Sequence, residues 1–249
     1  MIRSMLWHKF PSVPLVEALP SFSWKVENGF SRASQTAALM LYVALNFSAE
    51  TWTDENGQFN SVAASTYDDL ALATGLSRSL ICSGLERLQF SELIFSQGSH
   101  QKRRYKIFWP AKHAFFKLPC ATIIHAGVIK PFQSFTMRSR HELHAMKLHL
   151  YFAAIRDNHE FYSKASYETI YERTDIPERH IRKSISLMLV NGTLQNVDNS
   201  YDRTTGQNEP NRYYLTGYPA LVRSNVQPTS LPTAELTPEP EPSYSDVPF

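Results

Sequence analysis

Two short runs hold most of the side chains that could grip an anion. Arg179, His180, Arg182 and Lys183 fall within one stretch, and His100, Lys102, Arg103, Arg104 and Lys106 within another. A guanidinium is a planar fork of donors that matches a phosphate or a guanine edge, whereas lysine supplies a compact point charge. A good bidentate contact to a base edge is worth about 1–3 kcal/mol of discrimination, and cations on phosphates each add roughly 0.9 to the salt slope of binding. This is recognition chemistry, and it needs elements that present both runs outward.

Other constellations offer less. His141, Glu142, His144 and His149 resemble a zinc motif in composition, but the first two histidines are spaced i,i+3 where a zincin helix needs i,i+4. They are therefore expected as a histidine cluster on a helix surface, with no metal. None of the nine glycines precedes a lysine, so no phosphate loop of the Gly-x4-Gly-Lys-Ser/Thr type exists. Tyr213 and Tyr214 lack the His-hydrophobic-His pair of a nickase and are expected to pack on a core as hairpin residues. Cys82 and Cys120 have no metal-type spacing and are too few for a disulfide framework. A non-enzymatic chain without a cofactor is expected.

The positioning elements announce themselves by repetition. Tyr67, Leu70, Thr74, Leu76, Ile81, Leu85 and Leu88 recur as Tyr167, Ile170, Thr174, Ile176, Ile181, Ile185 and Met188, shifted by 100 positions without a gap. Their spacing predicts the apolar faces of two short helices joined by a tight turn, a helix-turn-helix. Gly75 and Asp175 stand at the exit from the first helix, where a left-handed backbone is needed. Ser77 supplies a cap for the next helix, and Pro177 begins its counterpart at no cost in hydrogen bonding. Arg78, Ser79 and Ser83 then lie on the free face of one second helix, and Arg179, His180, Arg182 and Lys183 on that of the other. Arg87 and Arg173 are set aside, because each can pair with an adjacent glutamate, Glu86 or Glu172.

After each unit come two β-rich runs around a polar turn, Leu93 onward to Trp109 and Thr193 onward to Thr216, the latter with Arg203 and Arg212 on its hairpin. Upstream, Leu39, Leu41, Tyr42 and Ala44 match Leu148, Leu150, Tyr151 and Ala153, so a longer helix leads each copy, the first capped near Ser31 and running to about Phe47. The connection from Ser48 to Ser65 holds the Asn56-Gly57 turn signal. Residues 1–30 read as an irregular or extended lead-in, and Phe115–Pro119 as an extended opening of the second copy.

The chain has 249 residues and a formal net charge of +2. From Asn225 onward it carries six prolines, four acids and no lysine or arginine. Setting those four acids apart leaves 19 acidic against 25 basic residues, a net of +6, mildly basic and compatible with nucleic acid. Residues 225–249 are expected to be a disordered, acidic, Pro-rich tail. No apolar run is long enough for a membrane span and no signal-peptide core forms, so a cytoplasmic protein is expected.

A helix-turn-helix followed by a β-hairpin resembles a winged-helix domain. Two in tandem, each led by a longer helix, resemble the theta-type plasmid replication initiators. The fold expected is α+β and mostly helical, with winged-helix domains at 1–112 and 113–224 before the tail. The resemblance implies a protein whose two domains read successive major grooves of origin repeats, as a monomer or a homodimer. The terminal Asp246-Val247-Pro248-Phe249 looks like the tip of bacterial single-stranded-DNA-binding proteins. In that family the last phenylalanine enters an apolar pocket on replication proteins, which implies host replication factors as partners here. A dimeric transcriptional regulator and a protein-binding adaptor are the alternative readings.

Overall fold

Serine and threonine caps set most helix starts in the computed structural model, which describes residues 6–98, 103–110, 114–198, 201–202 and 207–219. Strand β1 (Trp7–Pro11) leads into helix α1 (Val13–Ala18) and a 3-10 turn (Leu19–Ser21). Helix α2 (Arg32–Ser48) follows, then strands β2 (Ala49–Thr53) and β3 (Phe59–Ala64). Helices α3 (Tyr67–Thr74) and α4 (Arg78–Phe90) precede strands β4 (Ile94–Gln97) and β5 (Arg104–Ile107). A connecting region holds β6 (Phe115–Pro119), the small hairpin β7 (Ile124–His125) and β8 (Val128–Ile129), and a second 3-10 turn (Lys130–Ser134). The second set is helix α5 (Arg140–Ile155), strand β9 (Ser163–Ala165), and helices α6 (Tyr167–Thr174) and α7 (Glu178–Val190). It closes with β10 (Leu194–Asp198), β11 (Tyr201–Asp202), β12 (Gln207–Asn208) and β13 (Asn211–Leu215). The architecture is α+β, with helices carrying the core and all strand pairs antiparallel. No helix among the described residues is long and apolar enough to cross a membrane.

The repeated apolar positions are the repeated core. Leu70, Leu76, Ile81, Leu85 and Leu88 are buried, as are Ile170, Ile176, Ile181, Ile185 and Met188. Thr74 and Thr174 are buried too, and each donates its hydroxyl to a carbonyl one turn back, Leu70 and Ile170 respectively, at 2.6 Å. Gly75 (φ +74°) and Asp175 (φ +54°) both take the left-handed conformation that ends the first helix of each pair. Thr66 and Asp69 form a capping box at α3, and Ser139 and Glu142 form another at α5.

Sequence separation hides how the two sets join. Every residue of α2 from Ser34 to Phe47 is buried, and so is every residue of α5 from Glu142 to Ala153. A helix buried all round must lie at the centre. These two pack on each other, and the hydrophobic core runs without a break through both sets.

Among the described residues, the lead-in, expected to be irregular or extended, is extended along β1 and helical after it, and is built into this junction. Strand β1 pairs along its whole length with β6, while α1 and the first 3-10 turn lie against α5 and α6. The lead-in's apolar side chains are taken into the core: Phe10, Leu15, Leu19 and Phe22 are all fully buried. The connection after α2 is likewise a hairpin, β2 with β3, which turns at Gly57 and extends the first sheet to the order β2-β3-β5-β4. The second sheet has the order β10-β13-β9.

Arg87, set aside as a residue able to pair locally with Glu86, is 3% exposed and reaches into the lead-in. Its Nε donates to Gln35 Oε1 at 2.8 Å and its Nη2 to Ser21 O and Oγ at 2.9 and 3.0 Å, over the Phe22 ring at 4.2 Å. From the other set, Lys147 donates its Nζ to Phe22 O at 2.9 Å. Hydrogen bonds to charged groups contribute about 1.5–3 kcal/mol, so Arg87→Met is expected to cost about 2–4 kcal/mol in urea unfolding. Gly84 marks the closest approach of α4 to α2: a Cβ there would lie 2.7 Å from Leu41 Cδ1 and 3.1 Å from the Ala38 amide nitrogen. Gly84→Val is expected to lower stability by about 1–3 kcal/mol or more, because backbone cannot yield as a side chain can.

Candidate nucleic-acid interface

Helix α7 is divided by its own pattern. Ile181, Ile185 and Met188 point into the core, and Arg179, Arg182, Lys183 and Ser186 stand exposed between them. Positions i, i+3 and i+4 share a helix face, so the three cations form one stripe. His180 is half-buried beside them, its ring 5.4 Å from that of His141 and 5.6 Å from that of His144.

The strands behind α7 hold Arg212 differently. It pairs with Glu209 at 3.1 Å and lies over the Tyr162 ring at 5.4 Å, which leaves it half-buried. Tyr213 stacks on Phe152 at 4.0 Å as a core residue, with burial pushing its hydroxyl up to about 12. Tyr214 is half-buried and not part of that core. Arg203 lies outside the described residues, as do His100, Lys102, Gly206 and the whole of 225–249 with its tip Asp246, Val247, Pro248 and Phe249.

The first set presents less charge. On α4, Arg78 is exposed but paired with Asp68 at 2.7 Å, and surface pairs of this kind exchange readily with other ligands. Ser79 is exposed and shares a hydrogen bond with Ser77, while Ser83 is half-buried and donates to Leu80 O. Glu86 is exposed nearby. Strand β5 alternates, with Arg104 exposed and Lys106 half-buried on one face and Tyr105 and Ile107 buried on the other. Arg103 is fastened to α3, its Nη1 donating to the Tyr67 hydroxyl at 2.8 Å.

Of the histidines expected on the helix surface, His141 is half-buried, but His144 and His149 lie inside. His144 is 7% exposed and His149 4%, and their Nδ1 atoms have no hydrogen-bond partner. Neutral imidazole is the form that such a site tolerates. Burial pushes His149 down to about 4, and burial with the charge of Lys147 pushes His144 down to about 3. Burial also brings the Lys147 amine down to about 7, opposed by Asp175. No group of three His, Cys, Asp or Glu among the described residues is placed to hold a metal ion.

Beside α7 opens a cleft of about 440 Å³, walled by Ser23, Trp24, Lys25, Arg140, Lys147, Tyr171, Asp175, Arg179 and His180 among others. Lys25 and Arg140 escape sequence reasoning because each lies far from α7 in the chain. The Ser139–Glu142 capping box was the available signal for Arg140, since it puts that residue at the start of α5. Comparisons with protein-family models, curated proteins and solved structures find no match to this chain.

The buried histidines make stability depend on acid. Both bind a proton less readily folded than unfolded, so the unfolded chain takes up more protons between their folded values and the usual 6.5. The histidines' contribution to stability is therefore fully present above about pH 6.5 and falls as pH drops toward 4, by up to about 1.4 kcal/mol per pH unit for each. Thermal unfolding followed against pH should show this slope. His149→Leu, which cannot ionise, should remove its share.

Proposed function

We propose that this chain is a sequence-specific, double-stranded-DNA-binding protein built from two winged-helix units, acting as the replication initiator of a plasmid or similar mobile element. The observation that carries the DNA reading is the face of α7, where Arg179, Arg182 and Lys183 stand in one exposed stripe, with an inner face that is apolar except for Ser184. The winged-helix reading is supported by element order. Helix, strand, helix pair and a pair of antiparallel strands follow in that order twice, with the extra strand β2 in the first set and the short β11 and β12 in the second, and the sheet order β3-β5-β4 has its counterpart in β9-β13-β10.

In this reading 1–112 and 113–224 are the two units, α4 and α7 enter successive major grooves, and the hairpins lie along the phosphates. Arg104 and Lys106 then serve as backbone contacts of the first unit, and Arg78 exchanges Asp68 for phosphate. The unequal charge of the two helices supports an asymmetric site, in which the second unit supplies most of the base reading. The initiator role rests on the tandem arrangement and on the tail resemblance, through which Asp246, Val247, Pro248 and Phe249 recruit host replication proteins. No catalytic step or cofactor enters.

Selection of bound duplexes from a random pool at physiological salt tests the reading. A long asymmetric site with unequal halves about one helical turn apart is the expected result. A short palindrome would replace the initiator with a dimeric regulator, and absence of enrichment would leave a protein-binding adaptor. On the selected site, Arg182→Ala with Lys183→Ala should weaken binding by on the order of ten- to a hundred-fold without unfolding the chain. The salt slope should fall by about 0.9 for each phosphate contact removed.

A further inference from the structure

The cleft beside α7 has features that duplex recognition by the exposed face does not use. Its walls come from three separate parts of the chain: residues 22–25 after the first 3-10 turn, the start of α5, and the turn from α6 into α7. Lys25, Arg140 and Arg179 bring three full cations to it, and none of them is ion-paired with a carboxylate among the described residues. Lys147 forms part of the same wall, with one of its N–H donors taken by Phe22 O. Asp175 is the one acid that lines the cleft. Cations converge in a concave site against their mutual repulsion, and an anion would relieve it.

Two aromatic side chains complete the walls. Trp24 is half-buried, packed against the edge of the core, and Tyr171 is 48% exposed; both line the cleft. An aromatic face offers a sequence-tolerant stacking surface to a nucleobase. The volume of about 440 Å³ lies in the range of small-ligand sites, roughly 300–1,000 Å³.

We propose that this cleft binds a nucleotide, with the phosphate held by Lys25, Arg140 and Arg179 and the base stacked on Trp24 or Tyr171. The same chemistry is offered by a free nucleoside monophosphate and by one unit of a single strand. Because the cleft takes residues from the lead-in and from α5 as well as α7, ligand there bridges the lead-in to the exposed helix. The inference does not require α7 to read duplex DNA.

The test is calorimetric titration of the full chain with AMP, adenosine, inorganic phosphate and a 5′-phosphorylated tetrathymidylate. AMP should bind at least about tenfold more tightly than either adenosine or inorganic phosphate, since only it uses both walls. Lys25→Gln with Arg140→Gln changes two exposed side chains, and thermal unfolding verifies that this variant is folded. It should lose about tenfold or more in AMP affinity while keeping duplex binding. Tetrathymidylate binding more tightly than AMP, and weakened by the same variant, would identify the source as a single strand; AMP binding more tightly would identify a free nucleotide. AMP no better than phosphate, AMP affinity untouched by the variant, or joint loss of duplex and AMP binding would each overturn a separate nucleotide site.

Discussion

Two buried cations from opposite halves of the chain end on successive carbonyls, Arg87 on Ser21 and Lys147 on Phe22. Burying a charge is costly unless hydrogen bonds replace its water. Here backbone carbonyls accept from both residues, Gln35 Oε1 and Ser21 Oγ also accept from Arg87, and only the Arg87 Nη1 is buried without a partner. Arg87 also lies over the rings of Phe22, Phe30 and Phe90, so its flat guanidinium is covered by aromatic faces. The lead-in is thereby fixed to both helical sets at one point. Everything that lines the cleft beside α7 from that side, Trp24 and Lys25 included, depends on this attachment.

The two sets share a pattern but not a surface. At one position α4 carries Gly84, which lets its backbone approach α2 closely, where α7 carries Ser184. Ser184 donates to His180 O and meets His141 Nδ1 at 3.3 Å, so α5 and α7 touch through polar groups where α2 and α4 touch through carbon and backbone. Outward, α7 displays an unpaired cationic stripe, while α4 displays one arginine already matched by Asp68. A duplication that keeps the inner face and lets the outer face diverge is what packing demands of one and not of the other.

Electrostatics tie the interior of the second set to its surface. Burial first, and then the charges of Arg140, Arg179 and Lys183, hold the His180 imidazole below the usual range. His141 is lowered for the same reasons, burial first and then Lys183, His180 and Arg140. Three rings within 6.0 Å of one another thus stay neutral at the edge of a cationic surface, and keep the contact between α5 and α7 free of further repulsion.

The sequence alone determined the two pairs of short helices, their turns at Gly75 and Asp175, their apolar faces and the hairpins after them. Those features are local: helical period, cap chemistry and left-handed tolerance operate within a few residues and are written in residue type. The exposed stripe on α7 was legible for the same reason, as the complement of an apolar face. Tertiary structure alone decided that the lead-in is a packed wedge, that Arg87 is a buried anchor, that His144 and His149 lie inside, and that Lys25 and Arg140 meet Arg179 across one cleft. In each case the deciding partner lies far away in the chain, as Ser21 does from Arg87 and Phe22 from Lys147. Periodicity cannot tell a charged residue facing water from one facing a distant carbonyl, because both lie off the apolar stripe until another segment covers them.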